Sequence, residues 1–338
     1  MTDREKIIAL STNSQLWARD IVGFIETKKI PPNKRELFAK SLKKEISEII
    51  IRYCAKEKIE IITFLDKNFP SILKEIPDFP AILYCRGNTK LLKEKHLVAV
   101  VGSRKATGYG LTQTKKVASQ IAEAGAVVVS GLALGIDGES HRGALQTDGR
   151  TIAVLGTAID KIYPSSHIGL ARQIIKQDGL IISEYPPNYP FFKQNFVLRN
   201  RIIAGLSKIT AVMEAAEKSG ALITAALALE YNREVFALPG NADRFQSKGT
   251  NFVLKKGASC LTEAQDILDA LNLKQEKKDL KLEPQEKIVY ELVGNGKSDF
   301  DTIQTEAKIS SMDLNQILLN LELKGLIKRD IAGNYLII

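Results

Sequence analysis

The chain has 338 residues, 44% of them hydrophobic, and a formal net charge of +9. That is enough apolar chain for two or three packed domains, and the basic balance suits a polyanionic partner. No apolar run reaches the length of a membrane-spanning helix, no signal-peptide pattern opens the chain, and the three cysteines stand far apart without metal-ligand spacing. A zinc site built on cysteine pairs is excluded, and a soluble cytoplasmic protein is expected.

Residues 1–58 read as a small helical domain. Ile7, Ile8 and Leu10, then Leu16, Trp17, Ile21, Val22 and Ile25, recur at helical spacing. Pro31-Pro32 interrupts the pattern, and a third helix is expected from Lys34 to Tyr53. Glu60–Phe64 and Ala81–Cys85 read as strands separated by Pro70, Pro77 and Pro80. From Leu97 a strand–helix rhythm begins. Strands are expected at Leu97–Val101, Ala126–Ser130, Thr151–Leu155, Leu180–Ser183, Ile209–Glu214, Glu234–Leu238 and Ser259–Leu261. Helical patterns, including Thr112–Glu123, His167–Lys176, Arg199–Gly205, Ala221–Tyr231 and Ala264–Leu271, separate them. This alternation predicts an α/β domain over 59–272, a doubly wound, mostly parallel sheet whose ligand sits at the C-terminal strand ends.

Residues 273–284 read as a charged linker, and 285–338 as a winged helix. Helices are expected at Glu286–Leu292, Asp301–Thr305 and Asp313–Lys324, then a hairpin of Ile327–Asp330 and Tyr335–Ile338 around Ala332-Gly333-Asn334. Residues 284–338 carry a net charge of −2, which leaves +11 on the first 283 residues. The winged helix therefore lacks the basic balance of a major-groove reader, and docking of a partner protein is its expected role.

Four segments carry chemistry. The first is the β-branched run ending in Gly102-Ser103-Arg104-Lys105, followed by Gly108 and Gly110. A glycine-rich strand-to-helix turn places free N–H groups at a helix N-terminus, and a hydroxyl and two cations beside them point to phosphate. The competing reading is a tight turn that needs glycine for backbone reasons. The pattern is neither Gly-x-Gly-x-x-Gly nor a P-loop, so a dinucleotide or ATPase site is poorly supported. The second segment, Ser130–Ala144, contains Gly131 and a pair four residues apart, Asp137 and His141. With no third catalytic partner, a structural hydrogen bond outweighs a metal or acid–base role. The third, Phe191–Arg201, interleaves Phe191, Phe192, Lys193, Phe196, Arg199, Asn200 and Arg201. Rings that stack on bases and cations that meet phosphates suit single-stranded nucleic acid. Against that, Arg199 and Arg201 are equally suited to internal salt bridges with Glu184 or Glu214. In the fourth, Ser219 and Gly220 open a helix at a strand end, a second anion site, while the Ala-rich continuation reads as core. Catalytic groups are otherwise scarce, with three histidines and no nucleophile elbow or His-Glu-x-x-His. No cofactor or metal is expected.

Taken together, Val98–Arg104, Ser130–Leu145 with Gly-Ile-Asp-x-x-x-His-x-Gly-Ala-Leu, Arg199–Ser207, Ser219–Ala225 and Glu234–Gly240 resemble the DNA-processing protein A (DprA/Smf) family. The resemblance covers about residues 60–272 and reaches more weakly to the N-terminal helices, as a SAM-like accessory, and to the winged helix. It implies an extended Rossmann-like domain and a non-enzymatic mediator. Such proteins bind and protect incoming single-stranded DNA during natural transformation, load RecA recombinase onto it, and act as homodimers through the Rossmann domain. By position, Gly102, Ser103 and Arg104 would meet phosphate, and Lys193 and Phe196 would supply a charge and a stacking ring. Arg199, Asn200 and Arg201 would shape the pocket or touch the backbone. The family often reads Phe-Pro-x-Arg-Asn-Arg, whereas Val197 follows Phe196 here.

Two other classes are weighed. A Rossmann-like nucleotide N-glycosidic hydrolase carries Pro-Gly-Gly-x-Gly-Thr-x-x-Glu. This chain has Pro239-Gly240-Asn241 and Gly249-Thr250 without the following Glu. A winged-helix regulator of duplex DNA is disfavoured by that segment's negative charge.

Overall fold

The computed structural model describes residues 1–273, 282–330 and 333–337. Most of the expected linker and the Ala332 end of the expected hairpin turn lie outside the described residues. Contacts divide the chain into two compact units, Met1–Gln275 and Glu276–Ile338. Among the described residues, no helix is long and apolar enough to cross a membrane.

The first unit opens with α1 (Asp3–Leu10), α2 (Ala18–Thr27), α3 (Arg35–Ser41) and α4 (Lys44–Lys56). Thr2 and Glu5 close a reciprocal capping box on α1, satisfying two otherwise orphan N–H groups. The helix expected from Lys34 to Tyr53 is two helices, broken at Leu42 and Lys43. The break lets Phe38 pack edge-on against Phe24, 5.1 Å between centroids, while Ser47 and Cys54 bury on the second helix. No proline or glycine marks it, so hydrophobic spacing alone runs through it.

The sheet follows, in chain order β1 (Glu60–Thr63), β2 (Ile82–Gly87), β3 (Leu97–Gly102), α5 (Gly108–Glu123), β4 (Val127–Ser130), α6 (Ile136–Leu145), β5 (Thr151–Leu155), α7 (Ile168–Lys176) and β6 (Leu180–Ser183). Then come α8 (Asn195–Leu206), β7 (Ile209–Glu214), α9 (Gly220–Glu230), β8 (Glu234–Ala237), α10 (Lys248–Lys255), β9 (Ser259–Cys260) and α11 (Ala264–Ala270). The strands form one nine-stranded sheet in the order β1-β2-β6-β5-β4-β3-β7-β8-β9. Strands β3 to β9 run parallel, and β1 and β2 add an antiparallel edge beside β6. Nothing in the pattern of 60–85 ties those two strands to this edge. The N-terminal helices hold it: Arg4 donates to the Ile61 carbonyl at 2.8 Å, and Ser11 meets the Tyr84 hydroxyl at 2.9 Å.

The continuous apolar run of β3 has a simple cause. Val98 and Val100 belong to one buried cluster, and Leu97, Ala99 and Val101 to another. Both faces of the strand are covered, so no position is left for a polar side chain. The chain winds from β3 outward to β6, then returns through α8 to lay β7 on the other side of β3. The connections after β3 and β7 therefore diverge, which opens a crevice beyond their C-terminal ends.

The second unit contains α12 (Pro284–Gly294), α13 (Phe300–Ala307), α14 (Ser311–Leu323) and a hairpin of β10 (Ile327–Arg329) and β11 (Tyr335–Ile337). Val289, Val293, Ile303, Leu314, Ile317, Leu318 and Leu321 fill its core with Ile327 and Tyr335. This is the winged-helix arrangement expected from the sequence.

Candidate functional site

The crevice at the ends of β3 and β7 holds a cleft of about 600 Å³. Gly102 makes its floor possible. A Cβ there would lie 2.5 Å from Ile136 Cγ1 and 2.8 Å from the Glu214 carbonyl oxygen. The turn that follows is fixed by its own backbone. Ser103 N donates to the Glu214 carbonyl at 2.7 Å, Ile136 N donates to the Ser103 carbonyl at 3.1 Å, and Lys105 N donates to Ser103 Oγ at 3.1 Å. Arg104 is left facing solvent. Its guanidinium lies over the Phe196 ring, 5.6 Å from the centroid, and among the described residues no hydrogen bond or ion pair engages it. A cation over an aromatic face is a modest attraction that also parks the side chain at the cleft.

The N-terminus of α5 is partly filled by the protein itself. The amides of Thr107 and Gly110 are already engaged. Thr107 N donates to Glu214 Oε1 at 3.0 Å, the Thr107 hydroxyl donates to Glu214 Oε2, and Thr107 Oγ1 accepts from Gly110 N at 3.1 Å. The protein's own carboxylate, delivered by the end of β7, occupies the positive end of that helix. The exposed cations of this turn are the Arg104 and Lys105 side chains.

The arginines of α8 turn inward. Arg199 is 4% exposed. It donates to the Gly131 and Val154 carbonyls at the ends of β4 and β5, and through Nε to Asn200 Oδ1 at 3.2 Å. Gly131 has no room for a Cβ because the guanidinium lies against it. Burial pulls the Arg199 pKa down to about 10, opposed by Asp137, and the group stays charged at neutral pH. Arg201 sits on another side of α8, away from the cleft lining. It pairs with Glu184 at 2.6 Å and Asp78 at 3.3 Å, and donates to the Asp78 carbonyl at 2.7 Å. Burial alone would lower its pKa, but Glu184 and Asp78 together hold it above the ordinary value. Of the two pairings weighed from the sequence, Glu184 is met and Glu214 is not.

Asp137 and His141 are both buried in α6. His141 Nδ1 meets Thr151 Oγ1 at 2.7 Å, and that hydroxyl donates onward to the Val128 carbonyl at 2.7 Å, so the ring is a neutral donor at Nδ1. Burial, then His167, Arg199 and Arg142, push its pKa down to about 3. Asp137 reaches the cleft floor, where burial raises its pKa against the opposing charge of Arg199. Among the described residues no cluster of His, Cys, Asp and Glu can hold a metal.

The remaining expected residues divide by place. Asn200 lines the cleft and reaches the Gly220 carbonyl at 3.4 Å. Ser219 caps α9 through Ala221 N at 3.3 Å, and Gly220 opens onto empty space, so this helix start does face the cleft. Lys193 is exposed in the segment entering α8 and is not part of the cleft lining. Phe196 is the centre of a ring group in which the motifs had shown Phe191 but not Tyr163. Tyr163 and Phe191, each 48% exposed, stand 5.4 and 5.5 Å from its centroid and 5.4 Å from each other. Lys218 and Phe245 complete the opposite lip. The signals were faint: a Lys161-Ile162-Tyr163 basic–aromatic run after β5, and an Arg244-Phe245 pair after β8.

Fold and site define a doubly wound α/β protein whose switch-point cleft offers cations and exposed rings. The sequence model of DNA recombination-mediator protein A matches residues 60–272, and that of the DprA winged helix domain matches 274–333. The chain belongs to the DNA recombination-mediator protein A family. It is 37% identical over 242 residues to the DNA processing protein DprA of Bacillus subtilis, covering 70% of this chain and 81% of that one. With Protein Smf of Escherichia coli it shares 43% over 203 residues, 60% of this chain and 54% of that protein. The chain thus spans about half the length of the Smf relatives of E. coli and Synechocystis. The X-ray structure of DNA processing protein A from Streptococcus pneumoniae superposes with a TM-score of 0.66 at 34% identity, covering 80% of this chain and 98% of that one. The DNA processing protein A of Helicobacter pylori, whose structure concerns its single-stranded DNA binding mode, superposes at 0.57 with 36% identity, covering 63% and 96%.

Proposed function

We propose that the cleft binds single-stranded DNA and that the protein acts in DNA processing as a non-enzymatic mediator in the cytoplasm. It would protect incoming strands during transformation and recombination, pass them to a RecA recombinase, and work as a homodimer through its α/β domain. The observation that carries this reading is the exposed Tyr163–Phe191–Phe196 ring group with Arg104 over it, open to solvent at the switch point. Unstacked bases need ring faces and a strand backbone needs unclaimed cations, and here both stand together. Family membership and the single-strand binding of the H. pylori relative support the ligand. Contacts of this kind read phosphate and ring rather than base edges, so affinity falls with salt and depends weakly on base.

The test is a fluorescence titration of oligo-dT and of duplex DNA at moderate salt. Arg104→Ala weakens single-strand binding about tenfold, the ~1.4 kcal/mol scale of one charged contact. A folded Arg104→Ala protein that binds oligo-dT as tightly as wild type, or a wild type that prefers duplex, overturns the reading.

A further inference from the structure

The other end of the sheet carries a second basic surface. A groove of about 430 Å³ lies there, at the N-terminal starts of β3 and β7. Its floor is apolar, with Phe69, Leu92, Leu97 and Leu206 all buried. Its rim carries Lys67, Lys93, Lys95 and Lys208, all exposed. Among the described residues none of these lysines has an ion pair, although Lys93 reaches Asn68 Oδ1 at 2.8 Å. The one carboxylate in the lining, Glu94, has Arg150 3.9 Å away. Lys74 stands nearby, 5.8 Å from the Phe69 ring. The adjacent His96 imidazole is shifted towards its neutral form, by burial first and then by Lys95 and Lys208. A groove whose charge is mostly of one sign, with low-dielectric walls, focuses its field outward, and flexible ammonium groups meet phosphates without reading bases.

We propose that this groove is a second track for the phosphodiester backbone of a nucleic acid, so that one protomer holds two strand segments at the two ends of its sheet. Leu97 lines the groove and Gly102 lines the cleft, the first and last residues of β3. By the rise of a parallel strand they are about 17 Å apart. The groove lining holds no exposed aromatic ring, so this track grips backbone alone, whereas the cleft also offers stacking. The proposal goes beyond the cleft reading and does not depend on it.

The test uses the full chain and the triple variant Lys93→Gln, Lys95→Gln, Lys208→Gln. A first labelled oligo-dT is bound, then a second strand is added as oligo-dT or as duplex, and transfer between the two labels is read across a salt series. Wild type takes the second strand. The triple variant takes the first as wild type does and the second at least tenfold more weakly, and its salt slope for the second step falls by about 2, as for three lost single-strand phosphate contacts. Arg104→Ala shows the reverse pattern, so a failure of the cleft reading is told apart from a failure of this one. Photo-crosslinking on the wild-type chain, independent of any variant's folding, places the second strand on the Lys93–Lys95 peptide. A wild type that holds one strand per protomer, a variant with an unchanged second step, or crosslinks confined to the cleft overturns the proposal.

Discussion

The β3–α5 turn and the first turns of α8 carry the same kinds of residue to neighbouring strand ends, yet they use them in opposite ways. Arg104 faces solvent over an aromatic ring, and among the described residues no acceptor claims it. Arg199 and Arg201 are buried, the first on the carbonyls of Gly131 and Val154, the second on Glu184 and Asp78. An arginine that begins a turn beyond a strand end has little backbone above it. An arginine on a helix crossing over those ends meets the Gly131 and Val154 carbonyls, and a guanidinium with five donors is drawn to them. The difference teaches that a cation near a ligand cleft belongs to the ligand only where the protein's own acceptors are satisfied without it.

The comparison breaks or sharpens first at Arg201. Arg201→Met removes the charge that compensates the mostly buried Glu184, with similar volume left behind. Breaking a buried pair by removing one partner costs about 3–5 kcal/mol. Urea unfolding is expected to show that loss, with oligo-dT affinity of the folded protein within about twofold of wild type, because no DNA contact is removed. A variant of normal stability with weakened DNA binding would place Arg201 with Arg104, and the division between inward and outward arginines would fail.

His141 tests the inward set by pH. Its folded pKa of about 3 lies below the unfolded value of 6.5, so its contribution to stability is complete above 6.5 and is lost as the pH falls towards 3. Charging the ring requires a proton on Nε2, which is buried and has no partner among the described residues. Between pH 6.5 and 5, where histidines titrate and carboxylates remain ionised, about 2 kcal/mol of stability is expected to disappear. Urea midpoints across that range check this, and His141→Gln should flatten the slope. A slope unchanged by the substitution would assign the loss to His96 instead.

The architecture of the α/β unit was legible because both faces of its strands are buried, which leaves short, β-branched apolar runs such as Val98–Val101 bounded by turn residues. The turn glycines were legible too, since Gly102 and Gly131 are required by close approach of Ile136 and Arg199. What stayed hidden depends on pairings distant in sequence. Glu214 fills the α5 N-terminus from 107 residues away, and nothing local to Thr107 announces it. The break at Leu42–Lys43 follows from packing of Phe38 on Phe24, not from any helix-breaking residue. Tyr163 and Phe191 lie on separate loops, and only the fold of β5, β6 and α8 brings their rings to Phe196.

Those rings give the smallest effect and the finest cut through the comparison. Tyr163 and Phe191 flank Phe196 and are more exposed than it is, so each is expected to stack on a base at the margin of the strand. Base stacking on an aromatic ring contributes ~1–3 kcal/mol, and a flanking ring belongs at the lower end of that range. Tyr163→Ala and Phe191→Ala should each weaken oligo-dT binding about fivefold, with the salt slope unchanged because no cation is lost. Arg104→Ala, by contrast, should lower that slope by about 0.7, one single-strand phosphate contact. The two signatures separate ring from charge within one cleft. A changed salt slope in Tyr163→Ala would mean that the ring acts by holding Arg104 in place through Phe196 rather than by touching a base, and the outward set would then be one coupled unit instead of two kinds of contact.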